Sequence, residues 1–194
     1  MMPQEIRAGE AMIAAVGLAR TYKTRGKAIE AVRGVDITVN AGEIVGFLGP
    51  NGAGKTTTLK MLTTLLRPTD GSATVAGYDL RRDPQGVRRN IGYVGQAGST
   101  LGTAKAGEEI VSHARLYGID TATAERSGKQ LLAALDLADV WDRKCGSLSG
   151  GQRRRLDIAM GLIHEPKLVF LDEPSTGLDP QSRANLWTHI RKLR

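Results

Sequence analysis

Glu43-Ile-Val-Gly-Phe-Leu-Gly-Pro-Asn-Gly-Ala-Gly-Lys-Thr56 is an apolar run that breaks into glycines and ends on a lysine and a threonine. The run Glu43 to Leu48 reads as a strand covered on both faces, since no polar residue alternates through it. Gly49-Pro50-Asn51-Gly52-Ala53-Gly54-Lys55-Thr56 is Gly, four residues, then Gly-Lys-Thr. Its four fixed positions recur by chance in roughly one in a hundred chains of this length. Glycines let the backbone curl so that successive N–H groups point at phosphate oxygens, and a helix beginning at Lys55 adds its positive end. Leu59, Leu62, Leu65 and Leu66 continue at helical spacing, so a helix is predicted over residues 56–66, stopped at Arg67-Pro68.

Strand, glycine loop and helix in that order predict an α/β fold of the P-loop NTPase type, with a parallel core sheet. Leu168-Val169-Phe170-Leu171-Asp172-Glu173 supplies a second buried strand that delivers two acids at its C-terminal edge, where open α/β sheets bind ligands. In such a site Lys55 reaches the β- and γ-phosphates of a nucleoside triphosphate, and the Thr56 hydroxyl ligates Mg²⁺. Thr57 adds a hydrogen bond to the α-phosphate. Asp172 holds Mg²⁺ mainly through a coordinated water, and Glu173 orients or deprotonates the attacking water.

Further elements surround this core. Ala11 to Ala19, the longest low-polarity stretch, lacks a basic leader and reads as a first strand entering Arg20-Thr21-Tyr22 rather than a secretion signal. Thr69-Asp70-Gly71 is a turn. Ser72 to Ala76 and Ile91 to Val94 are predicted strands around a short helix begun by Asp83-Pro84, together implying a smaller, antiparallel β lobe. Between Gln96 and Leu148 the pattern turns helical, with Lys105 to Tyr117 closed by Gly118 and Thr123 to Leu135 rich in alanine and leucine. Helices are also predicted from Gly150 to Ile163 and from Pro180 to Arg194, with a strand from Lys167 to Leu171 between them.

Leu148-Ser149-Gly150-Gly151-Gln152 offers a second anion-binding helix start, with Ser149 as N-cap. Taken with the loop at 49–56 and the acids at 172–173, this pentapeptide makes the chain resemble the nucleotide-binding subunit of ATP-binding cassette (ABC) transporters, from about residue 12 to the C-terminus. The resemblance implies one ATP-binding domain over 12–194. Its core and β lobe span 12–95 and 154–194, its helical subdomain spans 97–153, and residues 1–11 form an extension. It implies that Tyr22 stacks on adenine and that Gln96 contacts Mg²⁺ and the attacking water. It also implies that Ser149, Gly150, Gly151, Gln152 and Asp179 act in trans on the ATP of an opposite subunit. Arg153-Arg154-Arg155-Leu-Asp and Gly177-Leu178-Asp179-Pro180 are worded as in bacterial antibiotic-resistance exporters of the daunorubicin type.

The resemblance thus implies an ATP- and Mg²⁺-dependent ATPase that dimerises through its nucleotide site and drives a separate transmembrane permease from the cytoplasmic face of the membrane. Composition agrees with the absence of a nucleic-acid role. The 194 residues carry a net charge of +7 but only 4% aromatic residues, too few to interleave with the arginines as single-strand binders require. One cysteine, Cys145, excludes an internal disulfide. The 52 positions from Gln96 to Leu148 leave no room for the coiled coil or second cassette of ABC proteins acting on ribosomes or DNA. The family's switch histidine is expected about thirty residues after Glu173, whereas the sequence runs only 21 further, and His113, His164 and His189 do not take that place. A nucleotide-binding fragment or paralogue with little turnover therefore stands as the rival reading.

Overall fold

The computed structural model describes residues 11–24 and 26–192, which form two compact units, one up to Ile91 and the other from Gly92. Met1 to Glu10 and the last two residues, which include parts of the predicted extension and final helix, lie outside the described residues.

The first unit is built on a four-stranded antiparallel sheet in the order β2-β1-β3-β4. β1 (Ala11–Thr24) and β2 (Lys27–Asn40) form one long hairpin, closing at Thr24 opposite Lys27 and ending at Ala11 opposite Asn40. The predicted first strand is present, but its partner carries no clean alternation and escaped the sequence reading. Register shifts around Val16 to Leu18 bend the hairpin, and the Gly17 N–H there donates to Asp36 Oδ1 at 2.6 Å. β3 (Asp70–Val75) pairs along the other edge of β1, and β4 (Tyr78–Asp79) follows it. Met12, Ile13, Leu18, Val32, Val39 and Val75 are buried. α1 (Lys55–Leu62) buries Leu59, Met61 and Leu62, and α2 (Pro84–Asn90) is capped by Asp83, whose carboxylate accepts from the Gly86 N–H.

Three predictions in this unit need correction. The helix after the glycine loop stops at Leu62, four residues early, because Thr64 turns left-handed (φ 64) and the Leu66 N–H folds back to Lys60 O. Residues 43–48 form no strand. No described strand pairs with them, so the ladder that would justify an extended apolar run is missing, and Ile44, Val45 and Leu48 are 54%, 48% and 95% exposed. The strand at 91–94 exists but belongs to the other unit's sheet, not to the β lobe.

In the second unit β5 (Ile91–Val94) pairs with β6 (Leu168–Leu171) in a parallel sheet, and the Asp172 N–H extends the pairing to Val94 O. The crossover between them is helical: α3 (Ala106–Leu116), α4 (Thr121–Ala134) and α5 (Gly150–Leu162), followed after β6 by α6 (Pro180–Lys192). Each lies within two residues of its predicted bounds, and α3, α4 and α5 have a legible boundary signal. Asp120 caps α4, Gly118 turns left-handed after α3, and Glu165-Pro166 follows α5. Ile110, Leu132, Leu135, Leu137, Leu156, Ile158 and Leu186 fill one core shared by these helices. β5 runs against α5 so closely that a Cβ on Gly92 would stand 2.2 Å from Gly161 O. An antiparallel β lobe, a parallel sheet and a helical crossover together make the α/β P-loop NTPase fold.

Candidate nucleotide site

In the first unit the glycine loop leads into the N-terminus of α1. Gly54 occupies the N-cap at φ 87, a conformation L side chains avoid, and a Cβ there would meet Ala31 O of β2 at 2.5 Å. Glycine is therefore required twice over, by backbone conformation and by contact with the sheet. No side chain caps α1 and no acid sits in its first turn, which leaves its positive end to be met by an anion. The Lys55 ammonium donates to Gly49 O at 2.8 Å and Pro50 O at 2.9 Å, drawing the loop around itself. Gly49, Asn51, Gly52 and Ala53 are exposed, and Thr56 and Thr57 are half-buried in the first helical turn. Tyr22 stands near the hairpin end of β1, 38% exposed, with the Arg20 guanidinium 4.8 Å from its ring centre.

In the second unit the sheet brings Gln96 and Glu173 together across 77 residues of sequence. Gln96 Nε2 donates to Glu173 Oε2 at 2.8 Å, and the Thr176 hydroxyl donates to the same oxygen at 3.1 Å. Glu173 is itself left-handed, at φ 48, a conformation that for a non-glycine persists only where surroundings hold it. Asp172, just before it, is buried and lies 3.4 Å from the Tyr93 hydroxyl, which donates to it. Burial first, and the Asp172 charge second, push the Tyr93 phenol above its ordinary value, so it stays a donor. Gln96, Glu173, Thr176, Gly177 and Asp157 border a cleft of about 170 Å³.

The signature pentapeptide opens α5 with a reciprocal cap. The Gln152 N–H donates to Ser149 Oγ at 3.2 Å, and the Ser149 N–H donates to Gln152 Oε1 at 3.0 Å. Gly150 faces open space, and no acid lies in the first turn of α5. Asp179 caps α6: its two carboxylate oxygens accept from the Ser182 N–H and hydroxyl at 2.9 and 2.6 Å. The hydroxyl first and the N–H second hold its carboxyl below the usual range. The three histidines pack locally. His189 is buried against Asp136 at 3.1 Å, and Tyr117 stacks on His164 beside His113.

Sequence reasoning missed Tyr93, Arg154, Asp157 and Thr176. Asp157 accepts from the Ser99 N–H and hydroxyl, both at 3.0 Å, and Arg154 donates to three backbone carbonyls. Arg154 sits in a run of three arginines with no spacing to single it out, and its 8% exposure separates it from the exposed Arg153.

Comparison with known proteins bears on these features. The profile of the ABC transporter family matches residues 32–176. The chain is 43% identical over 178 residues to the doxorubicin resistance ATP-binding protein DrrA of Mycobacterium tuberculosis, covering 92% of this chain and 53% of that protein. It is 45% identical over 177 residues to the daunorubicin/doxorubicin resistance ATP-binding protein DrrA of Streptomyces peucetius, covering 91% and 52% respectively. The chain thus spans about half the length of the curated relatives it matches. Its fold is similar to that of the dimeric, post-hydrolysis ATP-binding cassette MJ0796 bound to ADP and Pi, with a TM-score of 0.84 at 25% identity over 94% of this chain and 82% of that one. With its glycine loop, signature helix and paired acids all inside or beside the matched region, this chain belongs to the ABC transporter family.

Proposed function

We propose that this protein binds MgATP and hydrolyses it as the ATP-binding subunit of a membrane exporter, within one cassette domain over 12–194. In that role Lys55 and the N–H groups of residues 49–57 hold the phosphates, and Tyr22 stacks on the adenine. Thr56, Asp172 and Gln96 would hold Mg²⁺. These are hard oxygen donors with a single carboxylate, the set that suits an ion sharing its coordination with phosphates and water. Bound there, Mg²⁺ would neutralise charge on the phosphates. Glu173 takes the proton of the attacking water, and Gln96 orients that water. Ser149 to Gln152 and Asp179 act on the nucleotide of a second copy of the chain. The subunit works at the cytoplasmic face of the membrane against a separate permease. Among the described residues no helix is long and apolar enough to cross a bilayer.

The observation that carries this reading is the Gln96–Glu173 contact, which joins two side chains from distant sequence directly after a buried aspartate. Relatives named for doxorubicin and daunorubicin resistance support drug efflux as the transport role. A titration with labelled MgATP, followed by phosphate release with the unmodified and Glu173→Gln proteins, tests it. Saturable binding by both, with release by the unmodified protein alone, is expected. Failure of either protein to bind overturns the nucleotide reading, and equal release by both overturns the role of Glu173.

A further inference from the structure

We propose that Arg154 is a positioning residue for hydrolysis, fixing the backbone on both sides of the Gln96–Glu173 pair and tying that pair to the signature helix. The inference rests on the catalytic reading of Gln96 and Glu173. Arg154 lies in the first turns of α5, two residues beyond the signature. Its guanidinium donates from Nη1 to Gly95 O at 2.6 Å, from Nε to Pro174 O at 3.0 Å and from Nη2 to Asp172 O at 3.1 Å. Gly95 precedes Gln96, and Asp172 and Pro174 bracket Glu173. One planar group therefore anchors, through three carbonyls, both peptide segments that aim the two side chains at each other.

Such an anchor answers a physical need. Glu173 holds a left-handed backbone that its neighbours must enforce, and charge-assisted bonds to the carbonyls on either side enforce it. One turn further along α5, Asp157 grips the Ser99 N–H and hydroxyl, so the helix holds the segment carrying Gln96 at both ends. The neighbouring arginines do other things. Arg155 donates to Leu135 O, and Arg153 is exposed. A lysine at 154 keeps the charge, but its donors radiate from one nitrogen and cannot span carbonyls at 95, 172 and 174.

The experiment compares the unmodified protein with Arg154→Lys, Arg154→Ala and Glu173→Gln, reading MgATP Kd by titration and phosphate release in single turnovers. Both Arg154 variants are expected to bind MgATP with unchanged Kd and release phosphate about 10²-fold more slowly, the scale set by slight misplacement of reacting groups. Millimolar methylguanidinium is expected to restore part of the rate to Arg154→Ala and none to Glu173→Gln. Arg154→Lys at the unmodified rate overturns the proposal, as does loss of binding in parallel with rate, which marks a merely structural residue. If Arg154→Ala does not fold, the lysine variant still decides. Wild-type turnover by Glu173→Gln, or no turnover by the unmodified protein, sinks the catalytic reading itself rather than Arg154 alone.

Discussion

The Lys55 ammonium is held by two carbonyls of its own loop, and the Glu173 carboxylate by the Gln96 amide from a distant segment and the Thr176 hydroxyl from its own. Lys55→Ala removes the charged donor to the phosphates and is expected to weaken MgATP binding by about 1.5 to 3 kcal/mol, measured by titration with labelled nucleotide. Glu173→Gln keeps the shape and the hydrogen bond from Thr176 but removes the base. Phosphate release is expected to fall about 10² to 10³-fold while Kd holds. At this scale the sequence was legible wherever a residue sat in a motif of fixed spacing, as Lys55, Asp172 and Glu173 do. Gln96 came from resemblance alone, since a lone glutamine after a strand has no signature of its own. Arg154, Tyr93 and Asp157 were invisible, because their partners are backbone carbonyls, a carboxylate and a serine brought close only by folding.

Most helices carried an end in the sequence, through Asp83-Pro84, Asp120, Ser149 and the left-handed Gly118, whereas α1 stops four residues before its predicted end. Strands did so only in part. β2 has a partner in β1 but no alternation to announce it, and residues 43–48 have alternation-free apolar character but no described strand beside them. α1 depends on a single glycine. Gly54→Ala forces a Cβ against Ala31 O at a left-handed φ, and MgATP binding is expected to be lost with the start of the helix, a loss readable in the same titration. The caps of α4 and α6 predict a pH dependence. The Thr123 N–H, above all, lowers the Asp120 carboxyl, and the Ser182 hydroxyl lowers that of Asp179, both from an ordinary value of 3.8. A carboxyl lowered in the folded state lends stability that is fully present above 3.8 and lost as pH falls through the folded value. The urea midpoint is expected to drop below pH 3.8, and to drop less in an Asp120→Asn, Asp179→Asn variant, which keeps the caps but cannot titrate.

For the molecule as a whole, the composition permits many basic globular proteins, and only the order of three motifs narrows them to one family. That family's fold is present as an antiparallel lobe and a parallel sheet crossed by helices, each unit with its own core. The N-terminus of α5, capped within itself by Ser149 and Gln152, carries no acid in its first turn. In the proposed function a second copy's nucleotide supplies the anion. The shared site is tested most directly by light scattering of the Glu173→Gln protein under saturating MgATP, where turnover no longer dissolves the complex. A mass of two chains is expected, falling to one when Ser149→Arg is added and bulk occupies the place of the partner's γ-phosphate. A single-chain mass for Glu173→Gln with ATP bound, or a dimer indifferent to Ser149→Arg, would contradict it.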